Sequence, residues 1–203
     1  MARINTAKRV MTVKIVYYGP GLSGKTTNLL HLHQAYPHAE RGDLVKLDTE
    51  TERTLFFDYF PANLGSIGGF RLKADFFTVP GQSFYNATRK VVLEGADGLV
   101  FVADSHPNRE DANVVTLQNM KDNLAAFGRT MDDLPVVFQW NKQDLKGALT
   151  PKFLERLLNP SGAPAFAANA LDGTGVWETQ DAILKLVLAD IKAKAARGRA
   201  SSN

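Results

Sequence analysis

Eight residues near the N-terminus have the types and spacing that bind phosphate. Residues 19–26 read G-P-G-L-S-G-K-T, which matches the pattern G-x-x-x-x-G-K-[ST]. Glycines let backbone N–H groups come close to phosphate oxygens, and a following helix directs the positive end of its dipole at them. Lys25 would neutralise the β- and γ-phosphate oxygens, and the Thr26 hydroxyl would be a ligand for Mg²⁺. The pattern predicts a phosphate-binding loop between a strand and a helix.

The same glycines leave a second interpretation open. Gly19, Gly21 and Gly24 also satisfy G-x-G-x-x-G, the pattern of a Rossmann dinucleotide site, with Asp43 or Asp48 as the acidic partner of the ribose. A Rossmann site holds a pyrophosphate by backbone groups and does not need Lys-Thr after the last glycine. That pair favours the phosphate loop, and an NAD-binding protein or a plain glycine-rich turn is the alternative.

A second motif indicates which base is bound. Residues 141–144 read N-K-Q-D and follow the strand expected over 135–140. The carboxylate of Asp144 can accept hydrogen bonds from both N1–H and the exocyclic amino group of guanine, a donor pair that adenine lacks. The stem of Lys142 can stack over the base, while Asn141 ties this loop to the phosphate loop. Together with the phosphate loop, this motif predicts specificity for guanine.

A sheet and several helices must position these motifs. Apolar, β-branched or aromatic runs predict strands at 13–18, 70–79, 98–103, 135–140 and 165–168. Helical spacing predicts helices at 25–34, 113–127, 153–158 and 176–194. Near-continuous apolar strands that alternate with helices are typical of a parallel sheet covered on both faces. We therefore expect a doubly wound α/β fold, which binds ligands at the carboxyl ends of its strands.

Composition restricts the class of protein further. The chain has 203 residues, of which 44% are hydrophobic and 22% charged, so it can bury a core. We find no repeat or linker, and we expect a single domain over 1–203, with a core at about 10–195 and short basic ends at 1–9 and 196–203. These ends account for the whole net charge of +3, so no nucleic-acid partner is expected.

The absence of cysteine excludes disulfides and thiol catalysis from this sequence. It also excludes a prenyl anchor, and Met1-Ala2 is not the Met-Gly start that myristoylation needs. We expect a cytoplasmic protein without a lipid anchor, which reaches cell poles or membrane-associated complexes through protein partners.

On these residues the chain resembles Ras-like small GTPases and, more closely, the bacterial MglA family, which controls cell polarity and surface motility. The resemblance covers nearly the whole chain. It rests on four segments, V-Y-Y-G-P-G-L-S-G-K-T-T-N-L at 16–29, E-R-T-L-F-F-D at 52–58, T-V-P-G-Q at 78–82 and N-K-Q-D at 141–144. It implies a P-loop G domain that is a monomer alone, binds GTP or GDP with Mg²⁺ and hydrolyses GTP slowly. In that family an MglB-type Roadblock homodimer binds the switch face and accelerates hydrolysis, and motility or polarity effectors read the switch.

The resemblance also implies roles in hydrolysis. Gln82 is expected to orient the attacking water, and the Gly81 N–H to bind the γ-phosphate. Thr54 is expected to reach Mg²⁺ and the γ-phosphate, and Arg53 to act as an arginine finger supplied in cis. Gln82 and Arg53, with Lys25, form the expected catalytic set.

One motif departs from the Ras pattern. Ras-like proteins have D-x-x-G where residues 78–81 read T-V-P-G, so the acidic partner of Mg²⁺ is missing from this motif. The same replacement is typical of the MglA family. The alternative function is therefore a nucleotide-locked scaffold that binds GTP with negligible hydrolysis. The segment 40–64 lacks clean periodicity, and we expect it to be a mobile switch.

The expected ligand contacts come from all of these segments. Residues 169–171 are expected to bring a backbone N–H to guanine O6. The nucleotide-binding set is Gly19, Gly21, Leu22, Ser23, Gly24, Lys25, Thr26, Thr27, Thr54, Gly81, Asn141, Lys142, Asp144, Asn169, Ala170 and Leu171. The expected metal ligands are Thr26 and Thr54.

Overall fold

A computed structural model of the chain describes residues 2–47, 57–81 and 85–200, with the side chains of 46–47 and 198–200 excepted. The strands in these ranges are β1 (Arg3–Asn5), β2 (Val10–Tyr18), β3 (Val45–Leu47), β4 (Phe57–Ile67), β5 (Phe70–Thr78), β6 (Gly98–Asp104), β7 (Val136–Asn141) and β8 (Ala165–Ala168). The helices are α1 (Lys25–Ala35), α2 (Asn86–Leu93), α3 (Glu110–Ala125), α4 (Pro151–Leu158) and α5 (Val176–Ala200). Along these ranges, no helix is both long and apolar enough to cross a membrane.

The strands form one mostly parallel sheet in the order β3-β4-β5-β2-β6-β7-β8, and β1 pairs with β2. Strand β2 is parallel to both β5 and β6, and the parallel pairing continues through β7 to β8. Strand β4 runs antiparallel to both of its neighbours. The doubly wound α/β fold expected from the sequence is confirmed, with an antiparallel extension on one side.

The sheet buries both of its faces, which explains the near-continuous apolar runs. Successive residues of a strand point to opposite faces. In β2, Ile15 and Tyr17 pack in one cluster with residues of α1 and α5, while Val16 and Tyr18 pack in another with residues of α2, α3 and α4. All seven residues of β6 are buried. Because the central strands need apolar side chains on both faces, their sequence shows no alternation.

Four elements were not predicted from the sequence, namely β1, β3, β4 and α2. The five predicted strands correspond to β2, β5, β6, β7 and β8, whereas residues 45–47 and 57–64 of the segment expected to be a switch lie in β3 and β4. Pro61 and a register shift between Asn63 and Ser66 interrupt the alternation of β4, so the strand is difficult to see in the sequence. Helix α2 has only eight residues and was also missed.

Candidate nucleotide-binding site

The predicted phosphate loop connects the carboxyl end of β2 to the first turn of α1. Gly24 precedes that turn with φ of 97°, and a Cβ at this position would overlap the Asn141 amide. No side chain caps α1, and its first turn holds no acidic residue. The first-turn N–H groups and the positive end of the helix dipole are therefore available to an anion.

Lys25 lies buried beneath this loop. Its side-chain amine donates hydrogen bonds to the carbonyls of Gly19 (3.0 Å) and Pro20 (2.7 Å). Burial lowers the pKa of Lys25 to about 7, and the nearby cation of Arg89 adds to the effect, while the carboxylate of Asp58 opposes it. The negative charge of a bound polyphosphate would favour the protonated amine.

The predicted base-reading loop begins at the last residue of β7. The Asn141 amide donates to Ser23 O at 2.7 Å, and its oxygen accepts from the Ala170 N–H at 2.9 Å. One buried side chain therefore connects the phosphate loop, the base-reading loop and the 169–171 loop. Asp144 is exposed, as a carboxylate that binds a base must be before the ligand arrives.

The third loop, at residues 169–171, lies after the carboxyl end of β8. The Asn169 side chain accepts a hydrogen bond from the Leu171 N–H at 3.1 Å, and Leu171 is exposed. Leu22 of the phosphate loop is also exposed, with φ of 66°, an uncommon backbone conformation for leucine. Of the remaining members of the predicted set, Ser23 is buried and Thr27 half-buried.

Asp104 was missed by the sequence analysis, and it connects two parts of the site. This residue ends β6 and is 1% exposed. Its carboxylate binds the amine of Lys142 at 2.6 Å and lies 3.6 Å from Nε of Arg109. Arg109 in turn donates to Gly21 O at 2.5 Å. Asp104 therefore holds the base-reading lysine and an arginine beside the phosphate loop.

A buried polar pair holds α1 against the sheet. The side-chain amides of Asn28 in α1 and Gln139 in β7 exchange two hydrogen bonds of 2.8 and 2.9 Å, and Gln139 also donates to the Thr179 hydroxyl at 3.0 Å. All three residues are 0% exposed. The sequence analysis did not predict this pair. The glutamine inside an apolar strand could have indicated it, because a buried amide needs hydrogen-bond partners.

A carboxylate lies at the predicted metal site, although motif 78–81 lacks one. The Thr26 hydroxyl donates to Oδ2 of Asp58 at 2.6 Å, and the Thr78 hydroxyl donates to the same oxygen at 3.0 Å. The Asp58 N–H donates to the Thr78 oxygen at 2.9 Å, which fixes the two side chains together. Strand β4 thus brings to Thr26 the acidic group that the sequence analysis found missing from motif 78–81.

This arrangement fits a magnesium ion. Mg²⁺ prefers oxygen ligands and in phosphate sites uses one or two protein oxygens together with phosphates and waters. Because the Thr26 hydroxyl donates its hydrogen bond to Asp58, the hydroxyl oxygen keeps lone pairs for a cation. Within the described ranges, no group of three or more His, Asp or Glu side chains could hold a metal ion.

Gly81 lies against the phosphate loop, where a Cβ would overlap the backbone of Gly21. Its position against Gly21 of the phosphate loop suits the expected contact with a terminal phosphate. Three other predicted residues, Arg53, Thr54 and Gln82, lie outside the described residues, so their roles stay predictions.

This fold and site define a Ras-like P-loop G domain, because the phosphate loop follows β2 and the N-K-Q-D motif begins at the end of β7. The chain matches no family model. Over 192 residues it is 47% identical to the Mutual gliding-motility protein MglA of Myxococcus xanthus (strain DK1622), an alignment that covers 95% of this chain and 98% of that protein. The chain therefore belongs to the MglA family.

Proposed function

We propose that this protein is a small GTPase that binds GTP and GDP with Mg²⁺ and acts as a molecular switch for bacterial cell polarity and surface motility. The observation that carries the nucleotide assignment is the double contact of Asn141, which joins the N-K-Q-D motif to the phosphate loop and to the 169–171 loop. The motility assignment is supported by the similarity to a relative whose name refers to gliding motility.

Different residues would bind the phosphates, the magnesium ion and the base. The first-turn N–H groups of α1 and the amine of Lys25 would bind the phosphates. Thr26 would ligate Mg²⁺, with Asp58 accepting the hydrogen bond of its hydroxyl and Thr78 orienting that carboxylate. The ion would neutralise charge on the phosphate oxygens when bound. Asp144 would read guanine through its paired N–H donors.

A panel of nucleotides tests the specificity for guanine and distinguishes the phosphate loop from a Rossmann site. GTP and GDP with Mg²⁺ should raise the melting temperature, whereas ATP and NAD should not. Ligand at 100 times its Kd stabilises by about 2.7 kcal/mol, which corresponds to roughly 5–10 °C for a chain of this size. An equal shift with ATP would contradict the guanine assignment, and a shift with NAD alone would support the Rossmann alternative.

Hydrolysis forms the second part of the proposal. Gln82 would orient the attacking water, and Arg53 would offset charge on the transferring phosphoryl group. Isolated Ras-like proteins position these groups poorly, so we expect slow turnover alone and acceleration by an MglB-type Roadblock homodimer at the switch face. Motility or polarity effectors would recruit the GTP-bound form to its place in the cell.

Phosphate release in single-turnover experiments, with and without that homodimer, separates the switch from a nucleotide-locked scaffold. The wild-type protein should be accelerated, while Gln82→Leu and Arg53→Ala should each lose the stimulated rate. No release from the wild-type protein in either condition would favour the scaffold. Full stimulation of both variants would remove their assigned roles.

A further inference from the structure

Arg89, in α2, is a buried cation beside the phosphate loop and is 3% exposed. Its Nε donates to Pro80 O at 2.9 Å and its Nη2 to Gly81 O at 2.7 Å. Its Nη1 donates to Oδ1 of Asn119 at 2.8 Å, and its guanidinium carbon lies 5.7 Å from the centre of the Tyr18 ring. All three nitrogens thus bind neutral acceptors, and no carboxylate in the described part of the chain pairs with them.

Such a cation is costly for the fold. A guanidinium stays protonated in proteins, and burying it without a carboxylate loses hydration that neutral acceptors replace only in part. Arg89 also lies near enough to Lys25 to disfavour the charged form of that amine. A well-packed apolar side chain at this position would avoid both penalties. The contacts of Arg89 therefore point to a purpose other than stability.

A network of amides and one hydroxyl holds Arg89 in place. Oδ1 of Asn119 also accepts from the Tyr18 hydroxyl at 2.7 Å, and Asn123 donates to that hydroxyl at 3.0 Å. Asn86, the first residue of α2, accepts from the amides of both Asn119 and Asn123 at 2.9 Å. The guanidinium is thus fixed from β2, α2 and α3 at once.

The two carbonyls that Arg89 binds belong to successive peptide units. A peptide unit is planar, so a hydrogen bond that fixes Pro80 O also fixes the Gly81 N–H on the other side of the same plane. The bond to Gly81 O fixes the next unit. Gly81 packs directly on Gly21. Arg89 therefore sets the orientation of an N–H group that lies beside the phosphate loop.

We propose that Arg89 is a positioning residue that orients the Gly81 peptide for the terminal phosphate and so sets the preference for GTP over GDP. The inference rests on the proposed function. Arg89 acts through Gly81 rather than through the nucleotide, because its side chain is 3% exposed and three of its five N–H groups donate to protein acceptors. GDP lacks the phosphate that Gly81 would contact, so only GTP binding should depend on Arg89.

The experiment compares Arg89→Lys and Arg89→Gln with the wild-type protein. Fluorescence titration gives the Kd for GDP and for the non-hydrolysable analogue GppNHp, both with Mg²⁺. We expect each variant to bind GppNHp about 10-fold more weakly, the size of one lost charge-assisted hydrogen bond, with GDP binding changed less than about twofold. Lysine keeps the charge but lacks the planar fork that spans two carbonyls, so it should not rescue.

Arg129 supplies the matched control, because its Nη1 also donates to a backbone carbonyl, that of Ala96, at 2.9 Å. Arg129→Lys and Arg129→Gln should leave the ratio of the two Kd values unchanged. If the Arg89 variants do not fold, Asn119→Ala carries the test, since it removes one anchor of the guanidinium. It should shift the ratio in the same direction by about threefold.

Three results would overturn the role of Arg89. These are an equal loss of GDP and GppNHp binding, unchanged binding of both, and full rescue by lysine, which would indicate an effect of charge alone. A wild-type protein that binds neither nucleotide would instead refute the proposed function. The wild-type titration thus separates failure of the site from failure of this inference.

Discussion

Two sides of the candidate site are built in different ways. The base side, formed by Asn141, Asp104 and the Asn28–Gln139 pair, is held by buried hydrogen bonds between protein groups. The metal side, formed by Thr26, Asp58 and Thr78, consists of two hydroxyl groups that donate to one carboxylate oxygen. The base side lies on central parallel strands, whereas the metal side needs the antiparallel strand β4.

Because of this difference, we expect the two sides to control different properties of the site. The buried contacts of the base side cost free energy if one partner is lost, because the other partner remains unsatisfied. The base side should therefore determine both nucleotide recognition and stability. On the metal side Thr26 is exposed and Asp58 is half-buried, whereas Thr78 is 2% exposed. Changes at Thr26 and Asp58 should therefore alter cation affinity with little effect on the fold.

The largest effect should come from Asp144→Asn, in the N-K-Q-D loop that begins at Asn141 of the base side. The amide cannot accept both N–H groups of guanine, and two charge-assisted hydrogen bonds are lost, so GDP affinity should fall at least about 100-fold. Xanthosine diphosphate, which presents a carbonyl in place of the amino group, should bind the variant better than GDP. Competition titration with both nucleotides measures the change.

Asp181→Asn is the matched control, since Asp181 is an exposed helical carboxylate. It should leave both affinities unchanged. Retention of wild-type GDP affinity in Asp144→Asn would show that the base side does not read guanine through this residue.

A change on the metal side should be smaller and confined to the cation. Asp58→Asn should weaken Mg²⁺ binding to the GDP complex by about 10–100-fold, as expected for the loss of a group that orients a metal ligand. The double variant Asp58→Asn with Thr78→Asp should recover most of this affinity, because the carboxylate returns from β5. The Mg²⁺ dependence of fluorescent GDP release gives the affinity without any hydrolysis.

Asp75→Asn serves as the control within the same strand pair, because Asp75 binds Arg3 and Tyr59 away from Thr26. Its Mg²⁺ affinity should match the wild-type value. Tighter Mg²⁺ binding in Asp58→Asn would show that Asp58 competes with the cation rather than supporting it.

The stability of the base side can be tested without ligand. Asn28→Ala should lower the free energy of unfolding by about 1–3 kcal/mol, because Gln139 loses its buried partner. For a chain of this size the melting temperature should fall by roughly 2–12 °C. Thermal denaturation in the absence of nucleotide measures this fall. An unchanged melting temperature would contradict the stabilising role of the Asn28–Gln139 pair.

The smallest effect should come from an ion pair that belongs to neither the base side nor the metal side. Lys185 and Asp181 form an i,i+4 ion pair on α5 with exposed side chains, so Lys185→Ala should cost less than about 0.5 kcal/mol. The same denaturation experiment measures this value. A loss as large as that of Asn28→Ala would mean that burial does not explain the difference between the two positions.

The sequence determined the parts of the site that are local. The phosphate loop and the N-K-Q-D motif are short contiguous segments at the ends of apolar strands, where residue types alone restrict the backbone and the chemistry. The parallel sheet also follows from the sequence, because strands buried on both faces must be continuously apolar.

Only the tertiary structure decided the contacts between distant segments. Asp58 reaches Thr26 and Thr78 through the pairing of β4 with β5, and the interruptions in β4 hide that strand from any periodic pattern. Arg89 meets Pro80 and Gly81 because a short helix packs beside them, and a lone arginine in a sequence does not reveal its burial. The physical reason is the same in both cases, since the partners lie on different elements and only the packing of those elements brings them within hydrogen-bond distance.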